Sequence, residues 1–216
     1  MGVLLLLRHG QASVGTADYD RLSGLGHLQA EAAGIRLARA DLNIGQVWSG
    51  GLARQAESAR VVLAELGRSP DDLATDAHLD EYDPAGILGA DDPFAAATTP
   101  ESQRALQVTL DEALVRWIKG DASYPQTHSD FLTRVDTVVA DLAARPGTTL
   151  AITSAGVIAV ACARLAGLPA ERWPALARVV VNASITKLIT GSTGTHLLTF
   201  NDHAHLEGDR SLITYR

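Results

Sequence analysis

A continuous apolar run near the start of the chain, residues 3–7, stops at the tripeptide Arg8-His9-Gly10. Such a run is typical of a strand buried on both faces of a parallel sheet, and helical periodicity follows it over residues 25–38. Open α/β sheets bind their ligands beyond the carboxyl ends of the strands. The run therefore predicts an α/β fold with Arg8 and His9 at the ligand-binding edge.

The change from strand to helix recurs twice further along the chain. Residues 46–48 read as a short strand, and the helix predicted after them carries Arg54 in its first turn. Residues 149–153 form a second buried strand, which is followed at Ser154 by an apolar helix. A weaker strand is predicted over residues 73–79, just before Glu81.

Two further segments complete the predicted architecture. Residues 84–128 combine glycines and prolines with one long amphipathic helix, which indicates an inserted cap over the site. Residues 183–190 and 195–200 are β-branched and joined by a glycine-containing turn, which predicts a hairpin. We expect one domain over residues 1–216, a three-layer α/β/α sandwich with a mostly parallel central sheet, an antiparallel C-terminal strand and the inserted cap.

Composition limits the classes of partner. The chain has 18 Lys and Arg residues against 25 Asp and Glu residues, and its net charge of −7 argues against binding to nucleic acid or to acidic membranes. The single cysteine, Cys162, lies in an apolar stretch, which indicates a core residue in a reducing compartment. The opening apolar run is too short to span a bilayer. We therefore expect a cytoplasmic protein that acts on a small molecule.

Charged and titratable residues follow three of the predicted strands. Arg8 and Arg54 each carry a permanently charged fork that fits phosphate or carboxylate, although ordinary surface ion pairs are the alternative. His9 is a candidate nucleophile or base, or else a structural residue. Glu81 is a candidate general acid, or else a solvated residue of an acidic loop.

A metal site would compete with this interpretation. No closely spaced His, Cys and Asp cluster of the zinc type surrounds His9, and the two arginines would repel a cation. His203 and His205 form the one close histidine pair, and they share a face only if their segment is extended. We therefore expect no metal and no other cofactor.

Four segments, in this order along the chain, resemble the motifs of one known family. They are residues 7–12 (LRHGQA), 20–30, 48–59 and 79–81. Together they are similar to the histidine phosphatase superfamily, the phosphoglycerate mutase-like proteins.

The resemblance implies a role for each candidate residue. His9 would attack phosphorus and become a phosphohistidine, while Arg8 and Arg54 would hold the phosphoryl oxygens. Glu81 would protonate the departing alkoxide and then activate the water that hydrolyses the phosphohistidine. This sequence of steps needs a neutral imidazole, which two neighbouring guanidinium groups favour.

One motif departs from the family pattern. Most members end a later strand with a histidine followed by two glycines, and that second histidine binds the phosphoryl group. The corresponding residues here are Ser154-Ala155-Gly156. Ser154 and the amides that open the next helix can still donate to a phosphate oxygen. His203 or His205, beyond the last strand, could enter the pocket in place of the missing imidazole.

The resemblance implies a metal-independent phosphatase that acts on a small phosphomonoester. A mutase is the first alternative, but its lid would need extra cations, and the cap offers Arg104, Arg116 and Lys119 beside the acidic pair Asp91-Asp92. A weakly active, phosphate-binding regulatory protein is the second alternative, and Ser154 motivates it. Apolar edges on the C-terminal hairpin lead us to expect a homodimer.

Overall fold

A computed structural model describes residues 1–16, 18–40, 42–90 and 93–215 of the chain. The acidic pair Asp91-Asp92 of the predicted cap lies outside these residues. The strands are β1 (Gly2–Arg8), β2 (Ile44–Ser49), β3 (Leu73–Thr75), β4 (Gly147–Thr153), β5 (Ile185–Gly191) and β6 (Gly194–Asp202). The α-helices are α1 (Gly24–Arg39), α2 (Ala53–Glu65), α3 (Pro84–Leu88), α4 (Pro100–Lys119), α5 (His128–Ala144), α6 (Ala155–Leu165) and α7 (Trp173–Ala177).

The strands form one mixed sheet in the order β3-β2-β4-β1-β5-β6. The neighbouring pairs among β1 to β4 are parallel, whereas β5 pairs antiparallel with β1 and with β6. The predicted α/β fold with its mostly parallel sheet and antiparallel C-terminal strands is therefore confirmed. β3 and β6 are the edge strands of this sheet.

Helices cover both faces of the sheet, which explains why residues 3–7 of β1 are all apolar. Leu4 and Leu6 belong to a core that includes residues of α5 and α6, whereas Leu5 and Leu7 belong to the opposite core, which includes residues of α1 and α2. Alternate residues of a strand point to opposite faces, so both sets of leucines are buried. These two cores make the three layers of the sandwich.

The weak strand expected over residues 73–79 is shorter than predicted. β3 ends at Thr75, because the Asp76 side chain accepts the backbone N–H of His78 at 2.9 Å and turns the chain into a 3₁₀ turn over Ala77–Leu79. That turn leads directly to Glu81. In the segment predicted as a cap, α4 begins at a capping box between Thr99 and Ser102.

The register of the parallel strands defines the edge where the candidate site lies. Arg8 is paired with Thr153 across β1 and β4, and the His9 N–H donates to the Thr153 carbonyl at 2.9 Å. The residues that follow these strands, His9 and Ser154, are therefore neighbours at the carboxyl edge of the sheet. None of the described helices has the length and hydropathy needed to cross a bilayer.

Candidate active site

Four of the predicted residues come together at this edge from separate segments. Arg8 ends β1, His9 follows it, Arg54 lies in the first turn of α2, and Glu81 follows the 3₁₀ turn after β3. All four line one cavity of about 510 Å³. Arg8, His9 and Arg54 are each less than a tenth exposed, so the two arginine charges act on His9 in a largely water-excluded environment.

The His9 ring is held in one neutral tautomer. Its Nδ1 atom lies 2.7 Å from the Gly10 carbonyl oxygen, which can only accept, so Nδ1 carries the proton. Its Nε2 atom accepts from Arg54 Nε at 3.2 Å. Burial, followed by the charges of Arg54 and Arg8, lowers the pKa of His9 well below its ordinary value of 6.5. The ring therefore presents an unprotonated Nε2, the form required of a nucleophile.

Arg8 is anchored on one side by the backbone. Its Nη1 atom donates to the carbonyl oxygens of Val180 and, at 3.0 Å, of Tyr215. Its buried Nε has no hydrogen-bond partner among the described residues. Burial lowers the pKa of Arg8 to about 10, so the guanidinium still carries its charge near neutral pH. A fixed charge with a free buried donor on a cavity wall suits an anion.

Arg54 is anchored by Asp20. This aspartate lies in one of the four segments that resemble the family motifs, but no role was predicted for it from the sequence. Arg54 Nη1 lies 2.5 Å from Asp20 Oδ1, and Asp20 Oδ2 accepts the N–H of Ala53 at 2.7 Å. The guanidinium also lies 5.4 Å from the centre of the Tyr19 ring. Asp20 thereby fixes both the arginine and the start of the helix that carries it.

The Glu81 carboxylate accepts two backbone N–H groups. Oε2 accepts from Gly156 at 3.0 Å and Oε1 from Tyr82 at 3.2 Å. Burial raises the pKa of Glu81 above its ordinary 4.5, although these hydrogen bonds and the charges of Arg54 and Arg8 oppose the rise. Burial, rather than acidic neighbours, is thus what favours the protonated form, as a general acid needs.

The segment that leads to Glu81 is held by Arg134 of α5. Arg134 Nη1 donates to the carbonyls of Ala77, His78 and Asp80 at 3.1, 2.9 and 2.8 Å, and Nη2 donates to that of Glu81 at 3.3 Å. No local sequence pattern could have identified this contact, because it joins positions 53 residues apart in the chain. Gly156 was also missed as a contributor, although its place in Ser154-Ala155-Gly156 gave a signal.

Ser154 does not lie on the cavity wall. Its side chain is fully buried, and its Oγ accepts from Gln55 Nε2 at 2.8 Å, while the next two residues, Ala155 and Gly156, line the cavity. In this structure the hydroxyl expected to donate to phosphate is therefore bound to Gln55, one layer behind the wall.

His203 and His205 are not brought to the site either. His203 Nδ1 lies 2.7 Å from the Asn201 carbonyl and His205 Nε2 lies 3.0 Å from the Ala183 carbonyl, and neither residue lines the cavity. The reason is the path of the chain, since β6 is followed by a 3₁₀ turn, Ala204–Leu206, that packs towards α1 instead of over His9. Within the described ranges, no group of three or more His, Cys, Asp or Glu residues could hold a metal ion.

The sequence as a whole matches a known family. The sequence model of the histidine phosphatase superfamily (branch 1) matches residues 4–203. This chain belongs to the histidine phosphatase superfamily. The match covers most of the chain, including the segments that carry His9, Arg54, Glu81 and Ser154. No curated protein sequence matches it.

Solved structures show the same fold. A mycobacterial glucosyl-3-phosphoglycerate phosphatase is 23% identical, with a TM-score of 0.63 over 92% of this chain and 98% of its own. YhfR of Bacillus stearothermophilus is 16% identical, with a TM-score of 0.71 over 95% of this chain and all of its own. A phosphoserine phosphatase mutant of Entamoeba histolytica, in complex with phosphoserine, is 16% identical, with a TM-score of 0.68 over 95% and 100%.

Proposed function

We propose that this histidine phosphatase superfamily member is a phosphatase that hydrolyses the phosphomonoester of a small molecule through a phosphohistidine on His9. One observation carries the proposal: a neutral, buried imidazole that accepts from Arg54 at Nε2, feels the charge of Arg8 and shares its cavity with both arginines and a buried carboxyl group. Two of the structurally similar proteins are phosphatases by name, which agrees with it.

The reaction would proceed in two displacements. In the first, the Nε2 lone pair of His9 attacks phosphorus, the bond to the ester oxygen breaks, and Glu81 gives its proton to the departing alkoxide. A phosphoryl oxygen would take over the Arg54 N–H that Nε2 accepts in the free enzyme, which releases the lone pair for attack. Arg8 and Arg54 stabilise the negative charge on the equatorial oxygens.

In the second displacement, the Glu81 carboxylate removes a proton from water. The resulting hydroxide attacks phosphorus, the phosphorus–nitrogen bond breaks, and inorganic phosphate and neutral His9 are regenerated. Glu81 regains its proton, so the cycle closes with one water consumed. The raised pKa of Glu81 suits both roles, because the group can hold a proton before the first step and accept one in the second.

A weakly active, phosphate-binding protein is the second candidate, and Ser154 motivates it. We infer that Ser154 stands where most members of the family carry their second histidine. Its neutral hydroxyl is bonded to Gln55, so that position gives the phosphoryl group no cationic donor. Removing one hydrogen-bond donor to the negative charge that develops in the transition state typically costs roughly 100- to 1,000-fold in rate. Phosphate binding through Arg8 and Arg54 would persist.

Turnover and trapping of the intermediate test these proposals together. We expect the wild type and His27→Ala, an exposed-residue control on α1, to hydrolyse p-nitrophenyl phosphate equally with and without a chelator, and His9→Ala to be inactive. Denaturing quench at alkaline pH should trap one phosphoryl group on His9. Activity that survives His9→Ala would exclude the mechanism, and tight phosphate binding without turnover would favour the second candidate. An isomerised phosphate ester instead of free phosphate would indicate a mutase.

A further inference from the structure

The cavity extends well beyond the four groups that would bind and transfer phosphate. Its volume of about 510 Å³ falls in the range of sites that enclose a whole small molecule. A phosphoryl group occupies only the end next to His9. The remaining space must therefore receive the alcohol part of the substrate.

The wall of that space is largely apolar. One side is the inner face of α4, where leucines recur every four residues and therefore form one stripe along the helix. The other side is formed by α7. The side chains concerned are Leu106, Leu110, Leu114, Trp173, Pro174 and Ala177. We refer to this region as the apolar chamber.

Aromatic side chains close the chamber next to the phosphate end. The rings of Tyr19 and Phe94 are stacked, with centroids 4.2 Å apart, and both line the cavity. The Gly15 N–H donates to the Phe94 carbonyl at 3.3 Å, so the segment after β1 is tied to the segment before α4. A flat or extended apolar group of a substrate in the chamber would therefore contact apolar side chains on several sides.

Charge in the cavity is distributed unevenly. Arg8 and Arg54 lie at the phosphate end. The one further cation on the described part of the wall is Arg178, whose Nη2 atom lies 2.8 Å from Asp111 Oδ2. Asp111 also accepts from Gln107 Nε2 at 2.9 Å. A second anionic group on the substrate would have to displace Asp111 from Arg178. The chamber is therefore suited to a neutral group and not to a carboxylate or a second phosphate.

We propose that the substrate is a phosphomonoester of an apolar alcohol, an alkyl or aryl group without a second anionic group, bound in the apolar chamber. This inference rests on the proposed function of His9. Phosphoserine, which is bound in the Entamoeba histolytica structure, carries a carboxylate and would be a poor fit here.

A series of n-alkyl phosphates from propyl to octyl tests the chamber, because the chemistry of the leaving group stays constant while its apolar length grows. We expect kcat/KM to rise roughly two- to fourfold per added methylene until the chamber is filled. Phosphoserine and glycerol 1-phosphate should be hydrolysed less efficiently than hexyl phosphate. A flat dependence on chain length, or a preference for phosphoserine, would overturn the proposal.

Two variants on the same helix locate the effect. Leu110→Gln places an amide in the chamber, whereas Val108→Gln changes a residue that is 57% exposed. We expect Leu110→Gln to lower kcat/KM at least tenfold for octyl phosphate and less than threefold for propyl phosphate, and Val108→Gln to change neither. Equal behaviour of the two variants would argue against the chamber.

Binding of non-hydrolysable alkylphosphonates, measured by calorimetry, separates the two proposals. Affinity that grows with chain length without any turnover of the esters would support the chamber and contradict the catalytic role of His9. Turnover that depends on His9, with phosphonate affinities independent of chain length, would contradict the chamber alone. The wild-type series decides the matter even if Leu110→Gln fails to fold.

Discussion

At the scale of single residues, the state of the His9 imidazole is the property on which the proposed chemistry depends. Gly10 fixes the proton on Nδ1, and burial with two neighbouring guanidinium groups disfavours the imidazolium, so the pKa of His9 is lowered. Activity should therefore fall with decreasing pH only below 6.5, the ordinary pKa of histidine. A histidine that titrated in the usual range would lose its nucleophilic form just below neutral pH.

Titration of the imidazole nitrogen resonances by NMR measures this pKa directly. In the wild type we expect His9 to remain neutral, with Nδ1 protonated, at pH 6.5. Arg54→Met should raise the pKa of His9, but not fully to 6.5, because burial is the larger cause of the shift and remains. Arg60→Met, at an exposed position on the same helix, should leave it unchanged. A wild-type pKa of 6.5 or higher would contradict the geometry.

Gly156 is the second residue whose identity the site depends on. A Cβ atom built on it would lie 2.1 Å from Glu81 Oε1 and 3.0 Å from the Tyr82 ring, so any side chain there must displace the carboxylate. Gly156→Ala should then lower kcat/KM, which covers the steps up to departure of the alcohol, by roughly 100-fold or more for alkyl phosphates, whose leaving groups need a proton. The loss should be much smaller for p-nitrophenyl phosphate, which departs as a stable anion.

Glu81→Gln and Gly24→Ala are the comparisons for that experiment. Glu81→Gln should reproduce the same dependence on the leaving group while adding no atoms. Gly24→Ala adds a methyl group with no atom within 4 Å and should change neither rate. Equal losses of Gly156→Ala on both substrates would point to general damage of the site instead of loss of the acid.

At the scale of secondary-structure elements, α5 holds the segment that carries Glu81, the proposed general acid, through Arg134. Its guanidinium donates to four carbonyl oxygens in the segment that follows β3, those of Ala77, His78, Asp80 and Glu81. Arg134→Met should release this segment and lower kcat on alkyl phosphates by roughly tenfold, with little change in the inhibition constant of phosphate, since Arg8 and Arg54 stay in place.

The matched control for this helix is Arg164→Met on α6. Arg164 forms an exposed ion pair with Asp136 of α5 at 2.9 Å, and exposed pairs contribute little to stability. We expect no change in kcat from it. If Arg134→Met weakened phosphate inhibition as much as turnover, the arginine would be supporting the whole pocket and not Glu81 alone.

The elements differ in how far the sequence could predict them. β1 contains a continuous apolar run and β4 a shorter apolar segment rich in β-branched residues, so both strands could be predicted from the sequence, together with Arg8 and His9 at the end of β1. The position of Ser154 just after β4 could also be predicted from the sequence, whereas the direction of its side chain could not. That direction depends on Gln55, a buried partner 99 residues away whose amide takes the hydroxyl. Contacts of this kind, like those of Arg134, leave no local pattern.

At the scale of the whole molecule, residues near the end of the described chain are hydrogen-bonded to the segment that carries Arg8 and His9. Asn182 connects the two, because its Nδ2 donates to the His9 carbonyl at 3.2 Å and its backbone N–H donates to the Thr214 carbonyl at 2.9 Å. Thr214 Oγ1 accepts from Gln29 Nε2 at 2.8 Å and donates to Asn182 Oδ1 at 3.0 Å. The next carbonyl, that of Tyr215, accepts from Arg8. This network orients the arginine that would hold phosphate.

Thr214→Val keeps the shape of the side chain and removes both of its hydrogen bonds. Leaving Asn182 Oδ1 without its donor should cost roughly 1 to 3 kcal/mol in the free energy of unfolding. It should also raise the inhibition constant of phosphate several-fold, because Arg8 loses part of its anchorage. Thr195→Val, which removes a 2.9 Å hydrogen bond to Thr190 in the hairpin, should affect stability without changing phosphate inhibition. Tighter phosphate inhibition in Thr214→Val would reverse this interpretation, since it would mean that the Tyr215 carbonyl competes with the anion for Arg8.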